Sequence, residues 1–469
     1  MEKINHRPFG IRDKLGYLLG DFGNDFTFIL SSSFLLKFYT DVMHVPAGII
    51  GIVMMLARFV DAFTDVTMGR LCDRRRPSRA GKFKPWILWM CAPVAISSFL
   101  IYQSAFATSP LWFRVLWLTV TYILWGSIFY TSINIPYGSM ASSISPEPDH
   151  RQSLSTFRSV GSVLAGVVVG ALVPIIAYDK KTVGGVEIAE LNGAKFTVIA
   201  GVFSILAILA YLACYYLIDE RVVPDHKDER KLPSALSLIT SSVRNRALIS
   251  IIVASVIMLL SQFTLQQLAN YIYPDYYANT FAQSASTVAM MLGMFVAALG
   301  AKPLASRFGK SEISAASNAL AAATLLLLFF VRPASVWVYV GLSLFAWLGL
   351  GVFTMVSWAL ITDVIDDAEL RRGIREDGSI YSLYSFARKL GQAAAAGVTG
   401  LLLTLIGYEK TEGAPIADSV KSGLFSISTL IPAIGFFALA AVLWFWYPLH
   451  KKRVDENVAL LKQKRENKN

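Results

Sequence analysis

Ten stretches of 19 or more residues in this chain contain no Asp, Glu, Lys or Arg: 85–113, 115–146, 159–178, 196–218, 247–274, 276–301, 313–331, 333–362, 390–408 and 422–449. A helix crosses a bilayer in about 20 predominantly apolar residues, so each stretch is long enough to span. Lipid offers no partner to backbone N–H and C=O groups, and repeated spans of this length satisfy them internally as α-helices. An all-α membrane protein is therefore expected. With 55% hydrophobic and 16% charged residues, the composition excludes a soluble enzyme, a secreted disulfide scaffold and a nucleic-acid-binding domain. The net charge of +11 then needs a topological explanation.

Two further spans are expected before residue 75, where 26–36 and 42–57 are apolar but interrupted by Asp25, Lys37, Arg58, Asp61 and Asp65. Twelve helices put both termini on one side. Lys and Arg collect in cytoplasmic loops, and 32 of the 43 fall in the termini and the alternate loops that twelve spans place together, against 6 in the opposite loops. Both termini are thus expected in the cytoplasm. The longest charged interruption, at 219–246, follows six helices, so the expected organisation is an N-terminal six-helix bundle (1–218), a central cytoplasmic loop (219–246), a C-terminal six-helix bundle (247–449) and a Lys-rich cytoplasmic tail (450–469). The basic loop GRLCDRRRPSRAGKFKP after helix two has an echo, KPLASRFGKSE, after helix eight, as a six-plus-six duplication would leave.

Motifs for other chemistry are missing from the sequence. Gly309-Lys310-Ser311 has Leu304 where a phosphate-binding loop needs glycine, the five histidines form no metal pattern, and there is no GxSxG elbow. The cysteines Cys72, Cys91 and Cys214 lack metal or redox spacing, and no disulfide is expected. Residues 1–14 are polar, so no cleavable signal peptide is expected and the first helix directs insertion. The chain reads as no enzyme, with no cofactor.

The charges inside the spans carry the functional signal. An ionised side chain at mid-membrane costs roughly 2.5–3.5 kcal/mol on insertion scales, so such residues face the protein interior and mark ion or substrate paths. Asp61 and Asp65 are four apart on one helical face, with Arg58 one turn before. Two carboxylates this close repel, and a bound cation or proton relieves the repulsion. The alternative is structural: Arg58, with Arg158 at the start of helix five or Lys389 at the start of helix eleven, neutralises the pair and holds helices together. Asp25 in helix one lies in the span or at its interface. In helix four, Thr131 and Asn134 share a face, next to Tyr130 and ahead of Pro136, and offer hydroxyl and amide groups to a sugar or a cation. Such residues also serve as helix-packing contacts.

The chain resembles the glycoside–pentoside–hexuronide:cation symporter family of the major facilitator superfamily. The resemblance rests on LGDFGND at 19–25, FYTDV at 38–42, the Arg58/Asp61/Asp65 helix, GKFKPW at 81–86, TYILWG at 121–126, NIPYGS at 134–139, DVIDDAE at 363–369 with Gly373 and Arg375, and Arg388-Lys389. It implies two six-helix bundles that alternate access around a sugar site, with Na⁺ or H⁺ as the coupling ion. By resemblance Asp61, Asp65 and Thr131 bind the cation; Asp25, Asn134, Arg158 and Lys389 line the sugar pocket, where Tyr130 is an added candidate; Asp73 and Arg74, with Asp363 and Arg375, form the cytoplasmic gate. In the best known member the position of Asn134 is an acid, that of Asn24 a base and that of Gly138 an aromatic, so sugar and ion preference are expected to differ here. Members for xylosides and glucuronides share the NIPYG form, and a neutral pentoside or hexoside is favoured because the nearby carboxylates neutralise Arg158 and Lys389. Uptake into bacteria across the inner membrane, by a chain that suffices as a monomer, is the expectation. The rivals are an exchanger or uniporter independent of a cation gradient, a glucuronide symporter, a proton-driven drug exporter and a sugar sensor.

Overall fold

Twelve helical passes run through the computed structural model, which describes residues 7–75, 77, 78, 80–222, 245–372, 377–411 and 413–466. The first six are α1 (Ile11–Asp41), α2 (Ala47–Arg74), α3 (Lys84–Ile101), a fourth pass built from α4 (Leu111–Ile123), a π-helical segment Leu124–Tyr130 and α5 (Thr131–Ile144), then α6 (Pro148–Ile176) and α7 (Gly193–Leu217). The second six are α8 (Arg246–Tyr271, prolonged by the π-helical turn Ile272–Tyr276), α9 (Thr280–Phe308), α10 (Lys310–Val331), α11 (Val336–Arg372), α12 (Asp377–Leu405) and α13 (Asp418–Ala441). A last helix, α14 (Lys451–Glu466), occupies the tail. Ten passes are apolar enough to cross a membrane by composition alone, α2 with its embedded Arg58, Asp61 and Asp65 among them; α1 and α12 are not. Large apolar side chains such as Phe63, Phe330 and Leu405 are three-quarters or more exposed, as lipid-facing surface is.

The helix starts follow from short polar caps. The side chains of Asn192, Asn245 and Asn279 accept backbone N–H groups at the starts of α7, α8 and α9, which replaces partners that a first helical turn lacks. Between α9 and α10 the chain turns at Gly309 with φ of 103°, where a side chain would collide with Glu312. At α3 the cap comes from across the sequence: the Glu220 carboxylate accepts the N–H groups of Lys82, Phe83 and Lys84 at 2.9, 2.8 and 2.6 Å. Burial nonetheless raises the Glu220 pKa above its ordinary value.

The residues form two compact units: Met1–Glu229 with Gly400–Ile416, and Arg230–Thr399 with Ala417–Asn469. In the first, α1 packs along α6 and α7, and α3 along α7. In the second, α11 is flanked by α9 and α10, while α13 packs on α10 and α8. The boundary therefore falls inside α12, whose last residues are counted with the N-terminal helices. Within that first unit Tyr408 accepts a bond from Lys37 Nζ at 2.8 Å and donates to Asp41 Oδ1 at 2.9 Å, while Lys37 and Asp41 pair at 2.7 Å, all buried. The central segment 223–244 lies outside the described residues.

The sequence expectations contain no strand, yet β1 (Tyr178–Val183) and β2 (Val186–Leu191) form an antiparallel hairpin between α6 and α7, with Tyr178 opposite Leu191 and Val183 opposite Val186. Gly184 and Gly185 both adopt positive φ, which a two-residue turn of this hand requires. At its base Asp179 accepts from Lys195 and Asn192, and these bonds hold its carboxyl below the ordinary range. The three cysteines are buried free thiols. The tail helix is less solvated than its composition implies: Asn457, 3% exposed, donates to Asp367 Oδ1 at 3.2 Å, and Lys451 N–H donates to Glu312 at 2.8 Å.

Candidate functional site

Two pairs of side chains meet in register in the N-terminal unit. Asp61 and Asp65 project from α2, one turn apart. Opposite them, Ser127 of the π-helical segment and Thr131 at the start of α5 are also four residues apart. Ser127 Oγ donates to Asp61 Oδ1 at 2.5 Å, and Thr131 Oγ1 donates to Asp65 Oδ1 at 2.9 Å. Each hydroxyl has a backbone carbonyl in reach as well: Ala57 O at 3.5 Å from Ser127, and Gly126 O at 3.2 Å from Thr131. Arg58 Nη1 lies 3.2 Å from Asp61 Oδ2, with its guanidinium over the Phe28 ring at 5.3 Å. The sequence reading brought Asp61, Asp65 and Thr131 together and missed Ser127, whose spacing to Thr131 mirrors that of the two acids.

A second charged centre lies between α1 and α6. Arg158 is expected from the sequence at the start of its helix, but α6 begins ten residues earlier in charged sequence, so the guanidinium sits well inside it. Its Nε donates to Asp21 Oδ1 at 2.9 Å, with Asp21 8% exposed and Arg158 40% exposed. Asp25, one turn further along α1, lies beside Asp21, Arg158 and Ser162. Arg158 also stands over the Tyr137 ring at 5.3 Å, and Tyr137 stacks on Tyr17 at 4.6 Å. Asp21 was not singled out in the sequence, although it stands inside LGDFGND one turn before Asp25.

Aromatic and amide groups complete this face. Tyr130 stacks with Phe28 at 5.8 Å and tilts against the buried Trp125 at 5.4 Å. Asn134, half-buried on α5, makes no hydrogen bond to a described residue. Asn24 is turned the other way: its Oδ1 accepts from Tyr211 at 2.8 Å. A Cβ added at Gly138 would lie 3.8 Å from Arg158 Nη1, so the small residue leaves room beside the guanidinium.

In the C-terminal unit, Lys389 is exposed and lies twelve residues into α12 rather than at its start. Arg388 stands over Trp358 and Tyr384 at 5.5 and 5.8 Å, and Tyr384 accepts from Ser255 at 2.9 Å. Of the residues expected at the gate, Asp363 is paired with Lys310, whose Nζ is 2.5 and 2.7 Å from its two oxygens. Arg74 is the exposed last residue of α2, while Arg375 and the side chain of Asp73 fall outside the described residues.

The chain as a whole is similar to known transport proteins. A family model described as MFS/sugar transport protein matches residues 16–451. The glucuronide carrier protein homolog of Escherichia coli (strain K12) is 31% identical, over 95% of this chain and 94% of that protein. The putative sulfoquinovose importer of Salmonella typhimurium is 30% identical, over 96% and 93%. The isoprimeverose transporter of Lactiplantibacillus pentosus is 27% identical, over 94% and 89%. Among solved structures, the D-xylose-proton symporter aligns with a TM-score of 0.57 at 15% identity, over 93% of this chain and 97% of that one. An inward-facing bacterial homolog of the human lysosomal transporter Spinster aligns at 0.66 and 11%, over 95% and 97%. At these identities the two structures speak for the fold alone, the twelve-helix major facilitator fold. Relatives and neighbours are transporters, not enzymes.

Proposed function

The chain belongs to the MFS/sugar transport protein family, and from that premise we propose that it is a secondary transporter that imports a neutral glycoside with Na⁺ or H⁺ by alternating access. The observation that carries the coupling is the ladder of two carboxylates against two hydroxyls, Asp61 and Asp65 against Ser127 and Thr131. Packing alone gives no reason to place two acids one turn apart within a bilayer, since apolar residues of similar volume hold helices at little or no cost. With a cation bound, the set has the charge and oxygen ligands that a hard ion takes. Empty, its repulsion opposes the closed intermediate, which ties movement to loading.

The N-terminal unit's share of the sugar site is Asp25, Tyr130, Asn134 and Arg158; Lys389 is the candidate in the C-terminal unit. Carboxylate and amide groups with an aromatic face suit sugar hydroxyls and the apolar side of a sugar ring. Arg58 and Arg158, which stand inside the spans of the N-terminal unit, are each held by an aspartate. That pairing favours a neutral pentoside or hexoside. The glucuronide reading has its own support in the relative named as a glucuronide carrier homolog. Residence in a bacterial inner membrane with both termini cytoplasmic, action as a monomer, and a gate built from Asp73, Arg74, Asp363 and Arg375 belong to the same proposal.

Uptake into membrane vesicles of a labelled xyloside disaccharide, melibiose and a glucuronide, each with an imposed Na⁺ gradient, an H⁺ gradient or neither, tests it. Accumulation of one neutral sugar under one gradient supports the reading. Equal movement of sugar without any gradient would replace it with an exchanger or uniporter.

A further inference from the structure

Ser127 is a residue that neither the family resemblance nor the sequence pattern picked out. We infer that Ser127 is a direct ligand of the coupling ion and that the four-oxygen set it completes, with Asp61, Asp65 and Thr131, takes an alkali metal cation. This rests on the reading of Asp61 and Asp65 as the coupling site.

The argument starts from what each hydroxyl does with its proton. A hydroxyl has one proton to donate and two lone pairs. In the structure Ser127 and Thr131 donate to Asp61 and Asp65. An arriving cation competes for those carboxylate oxygens and needs the hydroxyl lone pairs as well. That exchange requires another acceptor for each displaced proton, and both hydroxyls have one, Ala57 O and Gly126 O. The same motion at both rungs turns two donors facing the carboxylates into two ligands facing the ion.

The backbone supports this. Ser127 lies within the π-helical segment Leu124–Tyr130 and Thr131 directly follows it. A wider turn leaves carbonyl groups less fully committed to the helix ladder than in an α-helix, and such bulges recur at functional positions. Ser127 is 1% exposed and Thr131 4% exposed, so water does not compete for the displaced protons. Gly126 faces the Asp61 carboxylate: an added Cβ there would stand in ordinary contact, 3.6 Å from Oδ1. A bare proton needs only a carboxylate, so two hydroxyls with alternative acceptors are superfluous for it. They suit a hard metal ion, which takes several oxygens at once.

The binding arm of the test needs no sugar. Purified wild-type protein is titrated with NaCl and with LiCl against choline chloride at constant ionic strength, and thermal unfolding is followed by tryptophan fluorescence. A ligand bound by the folded state alone raises the unfolding temperature with concentration. Wild type is expected to respond to Na⁺ or Li⁺. Ser127→Ala is expected to need about tenfold or more of the same ion for an equal response, whereas Ser127→Thr keeps the hydroxyl and stays near wild type. Ser127→Gly is the second deletion if the alanine variant does not fold. Equal midpoints for wild type and both deletions would overturn the role of Ser127 and leave the coupling site standing. A wild type indifferent to Na⁺ and Li⁺ but whose sugar uptake is driven by an H⁺ gradient in vesicles would overturn the metal assignment and with it the ligand role of Ser127, and leave the coupling site standing. A wild type that answers to no cation in either assay would remove the coupling reading and this inference together.

Discussion

Replacing Asp21 by Asn is expected to turn the preference of this transporter toward anionic sugars. Asp21 and Arg158 are 2.9 Å apart, and two unit charges at about 4 Å attract by about 4 kcal/mol in surroundings of intermediate dielectric. Arg158 is 40% exposed, so solvent screening reduces the usable part to about 1–2 kcal/mol. The amide introduced by Asp21→Asn would keep a hydrogen bond to the guanidinium but cancel the charge. The freed share of that attraction is then open to a sugar carboxylate, and about 1.4 kcal/mol corresponds to about tenfold in affinity. The assay is inhibition of labelled sugar uptake by a glucuronide and by its neutral glucoside counterpart, compared in wild type and Asp21→Asn. The ratio of the two inhibition constants should move toward the glucuronide by about tenfold, within a range of roughly 5 to 30. A ratio within about twofold of wild type, in protein that reaches the membrane in normal amount, would refute the claim that Asp21 is what makes Arg158 unavailable to an anion.

Asp61→Asn is expected to abolish gradient-driven accumulation while exchange of sugar across the membrane remains measurable; full accumulation in that variant would remove Asp61 from coupling. Asn134→Asp should change the rank order of neutral sugars in the same uptake assay, and an unchanged profile would take Asn134 out of the pocket. Glu220→Ala leaves three N–H groups at the start of α3 without their acceptor, and a loss of about 1–3 kcal/mol in unfolding free energy is expected, read as a lowered melting temperature. An unaltered melting temperature would mean that water replaces the carboxylate at no cost.

The membrane class and ten of the twelve passes were legible because they follow from the absence of charge over 19 or more residues, which no soluble fold needs. The two spans that charges interrupt, α1 and α2, were legible only through context, and of these α2 alone is apolar enough by composition. Helix starts were misjudged where a helix begins in charged sequence, as with α6 and Arg158, because burial of the far half determines the helix and charge marks only its exposed end. The β-hairpin had a signal, Gly184-Gly185 between alternating residues, that the dominant hydropathy pattern masked. Within the candidate site, Asp61, Asp65 and Thr131 stood out because intramembrane acids are rare and a family motif surrounds them. Asp21 and Ser127 could not be ranked the same way: an acid near a helix end is ordinary, and a serine in a membrane helix is ordinary too. What distinguishes them is what stands opposite, Arg158 in one case and Asp61 in the other, and that is tertiary information.

The central claim, import of a glycoside coupled to a cation, is tested most directly by the steady-state accumulation ratio in liposomes holding the purified protein, with the membrane potential clamped at zero. Internal over external sugar is measured as the imposed Na⁺ or H⁺ ratio is varied. Coupling predicts that the sugar ratio rises with the ion ratio for one of the two ions and collapses when that gradient is dissipated. A sugar ratio that stays at unity for every imposed gradient would contradict the account.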